Sequence, residues 1–106
     1  MAITQYIKEI GRGKDGARSL SREQAYDLFS QVLDGQVSDL EIGGFALAMR
    51  IKGESRAELE GFLDATHERC LRIPSTRPTV LLPSYNGARK LPNLTTLLAL
   101  LLAQEG

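Results

Sequence analysis

One cysteine and one histidine in 106 residues leave no internal disulfide and no spacing of metal-ligating side chains. The lone thiol, Cys70, fits a reducing compartment. It lies at helical spacing with Leu59 and Leu63, which predicts a quiet packing residue rather than a nucleophile. Long apolar runs are also missing. The longest, Leu94 to Ala103, is about half of the ~20 residues that a membrane-spanning helix needs, so no membrane role is expected. The N-terminal stretch lacks the basic start, apolar run and small-residue cleavage site of a signal peptide. Together these absences point to the cytoplasm. Aromatic residues do not interleave with the bases as they do in many single-strand nucleic-acid binders; only Tyr85 lies near a basic loop.

An excess of either charge sign is missing too, but the distribution is uneven. Lys8, Arg12, Lys14, Arg18 and Arg22 face only Glu9 and Asp15, giving +3 over the first basic segment. Ten acids against three bases between Glu23 and Glu68 give −7. Arg69, Arg72, Arg77, Arg89 and Lys90 then run without an acid, giving +5. Solvated charge is the common outcome of such a pattern; an anion-attracting surface follows if the fold joins the two basic flanks. His67, between Asp64 and Glu68, reads as a surface residue, and the carboxylate-rich middle as a solvated helix face without the pocket that acid–base work needs.

Three capping boxes organise the first two-thirds: Ser21 with Gln24, Ser38 with Glu41, and Ser55 with Glu58. Each opens an amphipathic run. The first spans about Arg22 to Asp34, with Ala25, Leu28, Phe29, Val32 and Leu33 on one face and Gly35 after it. The second spans about Asp39 to Lys52, with Ile42, Phe45, Ala46 and Met49, then Gly53. The third spans about Arg56 to Leu71, with Leu59, Phe62, Leu63 and Cys70, and Pro74 blocks its continuation. Ile3, Tyr6, Ile7 and Ile10 mark a short helix before them. Short connections predict antiparallel packing of neighbouring helices. Gly43 and Gly44 inside the second run cost about 1 kcal/mol each relative to alanine. Close approach of another helix, in the bundle or from a second subunit, is the preferred compensation over a simple kink.

Beyond Pro74 the pattern changes. Pro78-Thr79-Val80-Leu81-Leu82 reads as a buried strand, residues 83–92 as a polar basic loop, and Asn93 as the cap of a helix running to Glu105. That helix carries Leu94, Leu97, Leu98, Leu100, Leu101 and Leu102 nearly all round. A lone strand and a helix without a polar face are pieces of a parallel sheet layer. The expected fold is mainly α: a four-helix module over residues 1–72, and the first β-loop-α of an incomplete α/β domain over residues 73–106.

Three segments carry a family resemblance: Leu20-Ser21-Arg22-Glu23-Gln24-Ala25, the run from Asp39 through Ala48-Met49-Arg50-Ile51-Lys52-Gly53 to Ser55, and Ala57-Glu58-Leu59-Glu60-Gly61-Phe62. They resemble the N-terminal helical domain of the anthranilate phosphoribosyltransferase and pyrimidine nucleoside phosphorylase superfamily, over about residues 3–70. The resemblance implies a homodimer contact through the helical domain, with Gly43 and Gly44 at the interface. In the phosphoribosyltransferases the strand leads into G-T-G-G-D-G and then N-I-S-T, which bind the pyrophosphate and magnesium of phosphoribosyl pyrophosphate. Aligned on those motifs, Asn93, Thr95 and Thr96 keep the second one, whose amide and hydroxyl groups suit phosphate at a helix start. The first is altered: Pro83, Tyr85, Asn86 and Ala88 stand where glycines let the backbone approach pyrophosphate, Ser84 replaces the Thr, and Gly87 stands where the acid belongs.

Arg89 and Lys90 add long positive side chains to the same loop, which suits a polyanion better than a small, tightly held diphosphate. The altered segment resembles a nucleic-acid-binding paralogous branch of the family. Asn86-Gly87 also has a plain reading as a turn dipeptide. The resemblance therefore implies a phosphate or nucleic-acid site at Ser84, Asn86, Gly87, Arg89, Lys90, Asn93, Thr95 and Thr96, no catalytic or metal-ligating residue within these 106, and no cofactor except magnesium if phosphoribosyl pyrophosphate is bound. Three functions follow: a nucleic-acid-binding homodimer, an active glycosyltransferase using phosphoribosyl pyrophosphate, or a helical module for assembly alone.

Overall fold

The structure is a computed structural model and describes residues 3–83, 90 and 92–106. Its helices are α1 (Thr4–Ile10), α2 (Arg22–Leu33), α3 (Asp39–Lys52), α4 (Arg56–Arg69) and α5 (Thr95–Gln104). The chain divides into two units, Met1–Leu71 and Arg72–Gly106.

All three predicted capping boxes form. Ser21, Ser38 and Ser55 each accept from the backbone N–H three residues on, and Gln24, Glu41 and Glu58 each reach back to the N–H of the cap. Two orphan donors per helix start are satisfied in this way, so α2, α3 and α4 begin at the residues the serines dictate. At the end of α2 the Gln36 N–H reaches the Gln31 carbonyl at 2.9 Å and the Gly35 N–H reaches Val32 at 3.2 Å, with Gly35 at φ 68°. This is the Schellman closure that a glycine permits. Gly53 ends α3 differently, at φ 79° and ψ 154°, a region open essentially to glycine alone.

The extensive pairings are α2 with α4 and α1 with α3, so the helices pair with alternate rather than successive neighbours in the chain. Short connections bring successive helices close, but the apolar faces decide which pairs touch along their length. Ile3, Ile10, Leu20, Ala25, Leu28, Ala48 and Met49 are buried together, with Phe29, Phe45 and Phe62 packed against them. The three rings form a triangle with centroids 5.1–6.5 Å apart, within the range of favourable tilted and edge-on aromatic pairs.

On α4 only Phe62 of the expected face packs against the core. Leu59 and Leu63 are about half exposed, whereas Glu58, Gly61 and Ala65 are buried. Gly61 lets α4 lie close to α2, and the leucines two positions to either side of it turn outward. Cys70 follows the same outward face and is exposed at the C-cap of α4, so the expectation of a packing thiol is corrected. The helix also stops two residues short of Leu71: Leu71 and Ile73 are almost fully exposed and meet nothing that favours continued helix.

In the second unit, the apolar run Pro78–Leu82 forms no strand. A ladder needs a partner backbone, and no described residue supplies one. α5 forms as expected but starts at Thr95, one turn position later than an Asn93 cap implies; Asn93 Oδ1 instead accepts the Thr95 N–H at 3.1 Å. No residue of α5 is buried, and its leucines are 46–61% exposed. No helix among the described residues is long and apolar enough to cross a membrane.

Candidate functional site

Of the eight expected phosphate or nucleic-acid residues, Ser84, Asn86, Gly87 and Arg89 lie outside the described residues. Lys90, Asn93 and Thr96 are exposed, and Thr95 is half-buried at the start of α5. The Asn93–Thr95 hydrogen bond brings two of them to one helix start, where free N–H groups and the positive end of the helix dipole favour an anion.

Gly44 meets α1 in the helical unit: a Cβ there would stand 3.6 Å from Ile7 Cδ1, an ordinary contact distance. A Cβ on Gly43 would meet nothing within 4 Å. Among the described residues, then, a helix of the bundle lies beside Gly44 at ordinary contact distance, and none lies beside Gly43. Between α1 and α3 lies a cleft of about 220 Å³ lined by Ile7, Ile10, Gly44, Leu47, Ala48 and Ile51. Leu47 and Ile51 are more than half exposed, and Leu40 at the start of α3 is 86% exposed.

The glycine that packing does require is Gly61. A Cβ there would stand 2.8 Å from both Ala25 Cβ and Tyr26 N, and would collide with the Arg22 carbonyl oxygen. This contact holds α4 against α2. Around it Arg22 grips Asp64 with Nε–Oδ2 at 2.6 Å and Nη2–Oδ1 at 3.0 Å, and Arg69 grips Asp34 at 2.7 and 2.8 Å. These bidentate pairs hold the Asp34 and Asp64 carboxyls below the usual aspartate range, the arginine hydrogen bond being the leading cause in each.

A buried ion pair sits at the junction of the helical unit. Glu58 is fully buried, and Lys52 Nζ donates to its Oε2 at 2.7 Å and to the Gly53 carbonyl at 2.8 Å. The same carboxylate accepts the Ser55 N–H at 2.7 Å and, through Oε1, the Leu20 N–H at 2.9 Å. Burial pushes the carboxyl upward, but Lys52 and the two backbone donors outweigh it and leave it below the usual range. One side chain thus ties the entry to α2, the end of α3 and the start of α4. The expectation of a uniformly solvated acidic middle is corrected at this residue; His67, by contrast, is exposed as expected. Periodicity cannot distinguish Glu58 from any other capping-box acid. The available signal was Lys52 beside Gly53, which places an ammonium within reach of the next cap.

A bundle of short, capped helices with a buried Lys–Glu junction and an exposed apolar cleft is a helical domain of the glycosyltransferase type, since residues 4–70 match the glycosyl transferase family helical bundle domain. The chain belongs to that family. Among individual proteins, it is 49% identical to the uncharacterized protein YbiB of Escherichia coli K12, over all of this chain and 34% of that protein. It is 30% identical to the anthranilate phosphoribosyltransferase of Persephonella marina, over 98% of this chain and 30% of that enzyme, and 32% identical to that of Methanopyrus kandleri, over 94% and 29%. The chain spans about a third of the length of these relatives.

Proposed function

We propose that these residues belong to a nucleic-acid-binding homodimer with the anthranilate phosphoribosyltransferase-like fold, whose phosphoribosyl pyrophosphate loop has been converted to a polyanion-binding loop. The observation that carries the reading is the exchange at residues 83–90: glycines and the acid of the family motif give way to Pro83, Tyr85, Asn86, Gly87 and Ala88, and Arg89 and Lys90 are added. Backbone cradling of a small diphosphate needs the glycines; neutralising a chain of phosphates needs only reach and charge. The bare leucines of α5 and the apolar run Pro78–Leu82 support an α/β layer completed by further chain. The open surface at Gly43, with Leu40, Leu47 and Ile51, supports a second copy as the neighbour of α3.

The test is a salt titration of DNA binding by the full-length protein. Affinity is expected to fall linearly in log–log form as salt rises, by about 0.9 per phosphate contact in the slope. Binding that does not weaken between low and moderate salt would count against the reading. Light scattering of the same preparation reads the dimer, and a monomer at micromolar concentration would remove that part.

Asn93, Thr95 and Thr96 favour a second reading, an active glycosyltransferase using phosphoribosyl pyrophosphate with magnesium, because they match the second family motif and Asn93 is already ordered against Thr95. Calorimetry showing no magnesium-dependent binding of phosphoribosyl pyrophosphate to the full-length protein disposes of it. A protein that binds neither ligand but still dimerises leaves the helices an assembly role alone.

A further inference from the structure

Between α1 and α2 runs a ten-residue segment, Gly11 to Leu20, that holds three of the ten glycines in the chain. It is anchored at both ends. The Gly11 N–H closes on the Ile7 carbonyl at 2.8 Å, and the Leu20 N–H ends on the buried Glu58 carboxylate at 2.9 Å. In the middle, the Arg18 N–H returns to the Glu9 carbonyl at 3.0 Å and the Ala17 N–H to Gly13 at 3.1 Å, with Gly13 at φ 80°. The segment is a folded loop, so its side chains are presented from defined positions.

Those side chains are basic and in water. Lys8, Arg12, Lys14 and Arg18 are all exposed. Glu9 is shared between two of them, at 2.8 Å from Arg12 and 3.9 Å from Arg18, so one carboxylate is divided between two guanidinium groups. Arg12 also bonds the Lys8 carbonyl at 3.2 Å, which draws the cations to one end of α1. Lys8 and Lys14 form no ion pair among the described residues, and Asp15 forms none either. The backbone N–H groups of residues 12–16 make no hydrogen bond to another described backbone group. The stretch from Lys8 to Arg22 therefore offers surplus positive charge and backbone N–H groups without a described backbone partner, and it carries no aromatic side chain.

We infer that this loop is a second nucleic-acid contact, one that grips the phosphate backbone of a DNA duplex without reading its bases. Lys8 and Lys14 supply the unpaired charge, and the Arg12–Glu9–Arg18 cluster holds its rim. This rests on the nucleic-acid reading above and adds to it a second element, in the helical unit, separate in sequence from Arg89 and Lys90. Lysine ammonium and backbone N–H groups are among the donors that contact phosphate oxygens. The lack of stacking residues sets duplex above single strand.

The experiment uses the full-length protein and a mixed-sequence DNA duplex, followed by fluorescence anisotropy from 50 to 300 mM salt. The K8Q/K14Q pair is compared with wild type and with R89Q/K90Q. Both lysines are exposed and outside every described ion pair, so the helical far-UV spectrum should stay unchanged. If each lysine neutralises one phosphate, K8Q/K14Q makes the log–log salt slope shallower by about 1.8 and weakens binding up to ~60-fold near 0.1 M salt. An equal loss on poly(dT) and on duplex would remove the duplex preference. Wild-type binding with K8Q/K14Q unchanged, while R89Q/K90Q is weakened, overturns this inference and leaves the first reading standing. No duplex binding by wild type overturns both.

Discussion

Replacing Glu58 with alanine tests whether the helical unit depends on its buried junction. The change leaves the Lys52 ammonium, 8% exposed in its side chain, without its carboxylate, and strips the Leu20 and Ser55 N–H groups of their acceptor. Breaking a buried pair by removing one partner costs about 3–5 kcal/mol. Small domains have only about 5–15 kcal/mol of total stability. At roughly 4–8 °C per kcal/mol, E58A should lower the melting temperature by about 12–40 °C, or abolish cooperative melting at the upper end. Urea denaturation followed by far-UV circular dichroism gives the same quantity as a lower midpoint at unchanged m.

The pH dependence adds a signature specific to this carboxylate. Its folded pKa lies below its ordinary value of 4.5, so its contribution is fully present above that value and fades as pH falls through the folded one. The wild-type advantage over E58A should therefore be full at pH 7 and shrink below about pH 4.5. A difference under about 1 kcal/mol at pH 7, or one that does not change on acidification, refutes the assignment of Glu58 as the charged centre of the junction.

Three further substitutions separate packing from propensity. G61A gains about 1 kcal/mol of helix propensity but forces a Cβ against Ala25, Tyr26 and the Arg22 carbonyl, an overpacking cost of about 1–3 kcal/mol; a net loss of stability is expected, and any gain in urea midpoint contradicts the close α2–α4 approach. G43A meets open space, so the same propensity term should raise the monomer's stability by about 1 kcal/mol; if Gly43 lies at a subunit contact, sedimentation of the full-length protein should show weaker dimerisation at the same time. S30A removes a buried hydroxyl that has no hydrogen-bond partner among the described residues and should stabilise the chain by about 1 kcal/mol or more; a lower midpoint would mean that the hydroxyl is satisfied in solution.

The helix starts were legible because a capping box is local: a serine and the acid or amide three residues on satisfy each other whatever surrounds them, and α2, α3 and α4 begin where those pairs stand. The Schellman end of α2 was legible for the same reason, since Gly35 alone sets the backbone sign there. Family membership was legible through the run from Asp39 to Ser55 and its neighbours, and residues 4–70 match accordingly.

Tertiary structure decided what periodicity cannot, namely which of two adjacent faces a helix buries. On α4 the leucine spacing pointed to Leu59, Leu63 and Cys70, yet the bundle buries Gly61, where α2 approaches too closely for a Cβ, together with Ala65 and the ion-paired Glu58. Glu58 shows the physical reason most directly. By itself it is a surface-type acid closing a helix cap; its burial depends on Lys52 from the preceding helix and Leu20 from a loop 38 residues earlier arriving at the same point. Local hydrogen bonds set where the helices begin, and non-local packing set which side chains, charged or apolar, the protein encloses.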